Sequence, residues 1–212
     1  MRLWTVQPIS VLHQIQTHGL ALVDPFQINE SGYVDSSYRW LVWQLSFRIN
    51  ESKGWYPWFA YCERPDLRWV RHSRPSGEHV MIEFEPPEDE VVSFPSWAWS
   101  KIFSQQYLSI SRSDELAWKA NFKQSTGEAI EDVYFCEIVS RFGRSLQIQI
   151  EASWLRLFQP DLPARSWEYG AKSKTREAVV EQLNSAWIKK VTIFQSKLPI
   201  AWKQLLPTDS LF

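Results

Sequence analysis

The chain is poor in the residues that build covalently stapled or metal-held scaffolds. It has two cysteines, Cys62 and Cys136, among 212 residues. They form neither a disulfide framework nor a CxxC or zinc spacing, and they fit a reducing, cytoplasmic setting. The four histidines, His13, His18, His72 and His79, lack zinc spacing, so no metal site of the usual kind is expected. Seven glycines leave little material for phosphate loops. Neither GxGxxG nor GxxxxGKS/T occurs, which argues against dinucleotide-fold and P-loop sites; HExxH and GxSxG are absent too. An excess of one charge is also missing: 23 Lys+Arg face 24 Asp+Glu, a net charge of −1. That argues against a uniformly basic nucleic-acid surface and leaves room only for a local patch. No apolar run approaches the ~20 residues that span a bilayer, and the opening residues carry no apolar stretch of signal-peptide length. No membrane partner is expected.

What is present is tryptophan, 13 residues of 212, within a hydrophobic fraction of 44%. Such a composition suits a globular domain with an aromatic core, because each indole buries a large area and has one N–H to satisfy. We expect one α+β domain over residues 1–200, with small mixed or mostly antiparallel sheets and helices packed on them, and a tail over 201–212. Leu3 to Val6 read as a strand. Pro8 suits the first turn of a helix in which Val11, Leu12 and Ile15 recur at helical spacing, with Gly19 as its stop. Leu20 to Val23 read as extended. A second helix, capped by Asp35 or Ser36, shows Tyr38, Leu41, Val42, Leu45 and Ile49 on one side. Trp40, Trp43 and Phe47 fall on its other side, as if it were covered on both flanks.

Trp55 to Tyr61 read as an aromatic strand, followed by an arginine-rich loop. His79 to Glu85 alternate as a strand, and a short helix runs from Pro95 or Ser96 to Phe103. Leu116–Phe122 and Ile130–Phe142 read as helices. Ser145–Phe158 fits both periods, and the repeat of Leu146, Ile150, Trp154 and Phe158 favours helix. Ala178–Gln182 and Val191–Phe194 read as final strands.

Several groups have chemistry as well as a packing role. In the first strand, Trp4 can stack on a ligand while Thr5 or Gln7 hydrogen-bonds it; the plainer reading is a buried edge strand. In the aromatic strand, alternation sets Trp55, Pro57, Phe59 and Tyr61 on one face and Tyr56, Trp58 and Ala60 on the other. One face is core, and the other, with Trp58, can stack a base or nicotinamide. Arg64, Arg68, Arg71, His72 and Arg74 form a candidate phosphate or nucleic-acid patch, with Arg68 the best single candidate. The alternative is a solvated loop paired with the acidic run Glu83–Glu90. Glu83 and Glu85 share a strand face. Glu177 and Glu181 are candidate carboxylates near a late strand. The tail, with Leu205, Leu206, Leu211 and Phe212, is a candidate docking segment.

The opening Leu3-Trp4-Thr5-Val6-Gln7-Pro8 and the helix ending at Gly19 resemble the start of an uncharacterised bacterial domain family. Later pieces recur in the same order: Tyr38-Arg39-Trp40-Leu41-Val42, Pro57-Trp58-Phe59-Ala60-Tyr61, Pro65-Asp66-Leu67-Arg68, Ile82-Glu83-Phe84-Glu85, Ser153-Trp154 and Lys190-Val191. The chain departs from that family at Ser93-Phe94-Pro95, which lacks the usual Asp, and at Trp99-Ser100, where Trp-His is usual. More remotely, the layout resembles ADP-ribosyltransferases that modify DNA or RNA. Those open on a strand with His-x-Thr, continue into a helix ending Gly-Leu (here Gly19-Leu20), and finish on a strand bearing a glutamate.

That resemblance implies NAD as the bound nucleotide. Trp4-Thr5 stand in place of His-x-Thr, Arg68 meets the pyrophosphate, and Glu177 or Glu181 acts at the ribose as nicotinamide leaves. A macromolecular acceptor is the implied partner. The alternative is a non-catalytic module that binds a nucleotide, nucleic acid or protein, with a role in a toxin–antitoxin or phage-defence system.

Overall fold

The computed structural model describes residues 1–24, 32–130, 133, 137–159, 162 and 175–197. Cys136, the breaks at Pro160 and Pro163, and the tail over 201–212 lie outside them. In chain order the elements are β1 (Leu3–Pro8), α1 (Ile9–His18), β2 (Leu20–Ala21), α2 (Gly32–Leu45), β3 (Trp58–Tyr61), α3 (Leu67–Ser73), β4 (Gly77–Phe84) and β5 (Val92–Pro95). Then follow α4 (Ser96–Phe103), α5 (Arg112–Thr126), α6 (Ile138–Phe142), α7 (Arg144–Trp154), β6 (Arg176–Val180), β7 (Leu183–Asn184) and β8 (Ile188–Ser196). The fold is α+β. Six strands form a sheet in the order β5-β6-β3-β1-β4-β8, and β2 pairs with β7 in a separate two-stranded sheet. The pairs β6·β3, β3·β1, β1·β4 and β4·β8 are antiparallel.

The chain divides into two compact units, 1–92 with 177–212, and 93–176. The first holds the central strands. β1 lies between β3 and β4, and alternation sends its residues to two different cores. Leu3 joins Val80, Ile82, Phe84, Ala60, Ala178 and Val180 on one face, under Val11, Leu12 and Ile15 of α1. On the other face, Val6 joins Met81, Phe194 and Val70 of α3, flanked by Trp4, Tyr61 and Leu67. Phe84, Leu3 and Ile82 are fully buried, each worth about 1.5–3 kcal/mol of hydrophobic stabilisation. α1 stops at Gly19, whose φ of 78° suits glycine and whose N–H reaches the Ile15 carbonyl at 2.9 Å. The Gly19 carbonyl in turn accepts from Ser185 N–H at 2.8 Å.

The second unit is pinned around residues 106–114. Ser153 Oγ accepts from Leu108 N–H (2.8 Å), and Trp154 Nε1 donates to the Gln106 carbonyl (2.8 Å). Asp114 accepts from Ile110 N–H and from Arg156 Nη1 (2.9 and 2.8 Å). Tyr107 stacks on Trp118 with centroids 4.4 Å apart.

Several expected boundaries shift. α2 begins at Gly32 rather than after Asp35 or Ser36, because acidic and hydroxyl residues suit the first turn as well as the cap. Its outer flank is not covered: Trp43 and Phe47 are 59% and 69% exposed. β3 is confined to Trp58–Tyr61, since Pro57 has no N–H for a ladder. The arginine-rich segment is not a loop. Asp66 caps α3 by accepting from Arg68 N–H at 2.9 Å, and Val70 is buried one turn on. Of the helix expected over 130–142, α6 covers Ile138–Phe142 among the described residues. The stretch 145–158 is helical, as α7 and a following 3-10 turn.

Gly19→Ala should cost about 1–2 kcal/mol, the penalty of a left-handed backbone at a residue with a Cβ. Its Cβ would meet nothing nearer than Ser185 Oγ at 3.9 Å, so the loss should be conformational. Urea unfolding should show a lower midpoint with an unchanged slope.

Candidate functional site

The register of the sheet builds a row of side chains across its α3 face. Trp4 lies opposite Tyr61 on one side and Glu83 on the other. Tyr61 lies opposite Glu177, and Glu83 opposite Lys190. Directly paired residues share a face, so the order across the sheet is Glu177, Tyr61, Trp4, Glu83, Lys190. Adjacent strands are ~4.8 Å apart, which sets Glu177 and Trp4 roughly 10 Å apart with Tyr61 between them. Trp4, Tyr61, Glu83 and Glu177 are all half-buried. The row therefore lies at the boundary between the Val6–Met81–Phe194 core and solvent.

Each end of the row is held differently. Trp4 Nε1 donates to Glu83 Oε2 at 3.3 Å. Arg2 ties Glu83 and Glu85 together at 3.3 and 2.9 Å, and its guanidinium holds the Glu85 carboxyl below its usual range. The β4·β8 register shifts between Glu83 and Phe84, leaving Lys189 as the extra residue, its ammonium 3.7 Å from Glu85. The Glu83–Glu85 pair is thus committed to an ion-pair network at the surface. At the other end, the Tyr38 ring of α2 meets Phe59 edge-on with centroids 5.7 Å apart. Burial, and then the negative charge of Glu177, push the Tyr38 phenol up to about 12. It stays a neutral hydrogen-bond donor over the whole physiological range.

The other predicted site residues go elsewhere. Thr5 is fully buried; its Oγ1 donates to the Phe59 carbonyl at 3.0 Å and accepts from Gln7 Nε2 at 2.8 Å. Alternation sets Thr5 and Gln7 on the α1 face, away from Trp4. Trp58 is on that face too, and its Nε1 donates to the Ala21 carbonyl at 3.0 Å, stitching β3 to β2. Arg68 is 91% exposed and forked onto Asp66 at 2.8–3.1 Å. Glu181, 3% exposed, accepts from Ser52 Oγ at 2.5 Å and Lys53 N–H at 2.8 Å, so it anchors the turn before β3. The sheet therefore brings together Trp4 and Glu177, and not Thr5, Gln7, Trp58, Arg68 or Glu181. Tyr61 and Tyr38 complete the row's Glu177 end. Alternation sets Tyr61 opposite Trp58, but its pairing with Trp4 depends on a strand register that spacing does not reveal.

Among the described residues no group of His, Cys, Asp and Glu could hold a metal ion, and no helix is long and apolar enough to cross a membrane. Residues 2–189 match a family described as Domain of unknown function (DUF3841). The chain belongs to that family. No curated protein and no solved structure matches it significantly. The family match covers both compact units apart from the first residue and the C-terminal end of the chain.

Two carboxylates near the turn before β3 give stability predictions for this DUF3841 member. Glu181→Ala leaves the Ser52 hydroxyl and Lys53 N–H without their charged acceptor and should cost roughly 3 kcal/mol in chemical unfolding. Glu90 behaves oppositely. Burial first, then Asp89, Glu181 and Glu51, raise its carboxyl above the usual value. A raised folded-state pKa means that the native state binds more protons than the unfolded chain, so stability falls as pH rises through that window. Glu90→Gln should raise the melting temperature at pH 7, and the gain should disappear below about pH 4, where the carboxyl is protonated in both states.

Proposed function

We propose that this chain binds NAD or a closely related nucleotide on the sheet face that carries Trp4, Tyr61 and Glu177, and transfers its ADP-ribosyl group to a macromolecule. One observation carries this reading. Two aromatic rings and a half-buried carboxylate stand side by side on adjacent strands, in the order Trp4, Tyr61, Glu177. An indole and a phenol offer stacking surfaces for a flat, cationic nicotinamide ring. A carboxylate roughly two strand spacings away is within reach of the attached ribose. The layout corresponds in part: an opening strand, a helix closed by Gly19-Leu20, and a carboxylate-bearing strand in the same sheet as the first, although β8 and not that strand is the last of the sheet.

The chemistry assigned to each residue follows. Trp4 and Tyr61 stack the nicotinamide. Glu177 orients the ribose and stabilises positive charge at its anomeric carbon as the carbon–nitrogen bond breaks and the electron pair leaves with nicotinamide. An acceptor nucleophile then bonds to that carbon and gives up its proton. Tyr38 stays neutral within electrostatic reach of Glu177 and adds no second charge beside it. Glu177, rather than Glu181, is the group assigned to the reaction, since Glu181 is occupied by Ser52 and Lys53. Such modification of a cytoplasmic macromolecule would suit a toxin–antitoxin or phage-defence component.

A second reading is a non-catalytic binding module. Exposed Arg64, Arg71 and His72 on and before α3 favour it, since they set basic side chains together on one stretch of surface.

Calorimetric titration with NAD, alongside label transfer from NAD in a cell lysate, separates the readings. Trp4→Ala should weaken NAD binding about tenfold, the scale of one lost stacking contact, with Trp4→Phe recovering most of it. Glu177→Gln should reduce transfer by about 10²–10³ while leaving NAD affinity within a few-fold. NAD binding without any transfer selects the module. Absence of NAD binding overturns both the transferase and the NAD assignment.

A further inference from the structure

Of the two strands that end the six-stranded sheet, only one is blunted. β5 is four residues long and closes on Pro95. β8 is nine residues long, Ile188–Ser196. Edge strands are usually protected by charge, proline, a bulge or a covering element, because their outward N–H and C=O groups can template another strand. In β8 those devices are confined to its start. The ladder irregularity lies beside Lys189 and Lys190, and Lys189 is drawn toward Glu85. From Val191 to Gln195 the sequence has no charge and no proline. Among the described residues nothing pairs with the outer side of that stretch. The chain is next held at Lys197, whose N–H donates to the Arg71 carbonyl at 3.0 Å.

This edge also interrupts an apolar row. Ile193 lies opposite Val80 and Val191 opposite Ile82. Val80 and Ile82 are fully buried in the α1 core, whereas Val191 and Ile193 are 36% and 53% exposed. Symmetry identifies what completes the row. Two copies related by a two-fold axis through the sheet pair antiparallel with like faces together, so the axis passes through a residue position. Centred on Lys190, the register sets two lysines directly opposite each other, which is destabilising. Centred on Val191, it sets Ile193 against Lys189 of the other copy. Centred on Ile193, it sets Lys189 against Lys197. Centred on Thr192, Val191 meets Ile193 twice, Lys189 meets Gln195, and Lys190 meets Phe194. The row then runs unbroken across the junction: Val80 and Ile193 of one copy, Val191 and Ile82 of the other.

We infer that β8 pairs antiparallel with β8 of a second copy of this chain about Thr192, joining two six-stranded sheets into one. The stretch carries its own complement, both in its β-branched pair and in the separation of its lysines. The inference does not rest on the NAD reading, since Trp4, Tyr61 and Glu177 lie on inner strands of the sheet.

Sedimentation equilibrium over a concentration series should show a reversible dimer, since one strand pair is a small interface. Ile193→Lys should weaken it at least about tenfold, because a symmetric dimer loses the Val191–Ile193 pair twice. Ile193 is half-exposed, so the variant should keep its fold, which circular dichroism checks. Mild oxidation of Thr192→Cys should give a disulfide-linked dimer, since directly opposed Cα atoms stand ~4.5–5.5 Å apart, within disulfide reach. Gln195→Cys should not, its two copies being roughly 20 Å apart along the strands. Wild-type protein, with Cys62 and Cys136, sets the background. A chain that stays monomeric at millimolar concentration overturns the inference and leaves the edge to an extended segment of another protein. A dimer unchanged by Ile193→Lys overturns it too, as does cross-linking of Gln195→Cys as efficient as that of Thr192→Cys. Glu177→Gln should leave the dimer unchanged, so failure of the transferase reading does not imitate failure here.

Discussion

The placement of β1 between β3 and β4 is the constraint on which everything else depends. Thr5 is its clasp: buried, paired with Ile82 across β4, with its hydroxyl bonded to the Phe59 carbonyl of β3. A slip of one residue in either ladder would exchange the faces of β1. Leu3 would leave the α1 core and Trp4 would enter it, while Val6 would leave the α3 side. Both cores would lose their central residue, so the register is strongly specified. The same specification places Trp4 beside Tyr61, and through Tyr61 beside Glu177. The candidate site is in this sense a by-product of the ladder that the two cores require. Its precision is that of strands rather than of a loop.

Within that frame the carboxylates separate by environment rather than by sequence position. Glu181 is buried and satisfied by two donors, one of them a backbone N–H, which suits structural anchoring. Glu83 and Glu85 are held by Arg2 and Lys189 at the surface, where ion pairs contribute little to stability. Glu90 is crowded by other acids and partly desolvated. Glu177 alone of these combines partial burial, an aromatic neighbour on its own row and a phenol pushed up to about 12 beside it.

Much of the fold was legible because local signals agreed with tertiary ones. The strand at Leu3, the stop at Gly19, the alternation of Val80, Ile82 and Phe84, and the four-residue repeat from Leu146 all correspond to observed elements. α3 was not legible, because four arginines and a histidine within a few residues masked a sound helix start. The decisive signal was Asp66 with Leu67 and Val70, an N-cap followed by an apolar i, i+3 pair. The site was legible only in part. Trp4 and Glu177 can be named from residue type and layout; Thr5 and Gln7 join Trp4 by proximity in sequence, and Trp58 by its place in an aromatic strand. The period of two sends Thr5 and Gln7 to the face opposite Trp4, and only the β1·β3 register shows that Trp58 joins them there and Tyr61 does not.

α2 has different neighbours on its two sides. Tyr38 faces the sheet, where it meets Phe59 and the charge of Glu177; one residue on, Arg39 lines a surface groove with Val42, Trp43 and Tyr56. A helix turns 100° per residue, so these two neighbours point in different directions. Tyr56 stands between, with its ring 6.2 Å from that of Tyr38 and its other neighbours in the groove. A helix that served packing alone would keep its aromatic residues on the inner stripe and cover the outer one with charge. Here Trp43 and Phe47 are held toward solvent in place of charged residues, at a cost in apolar exposure that the core does not require.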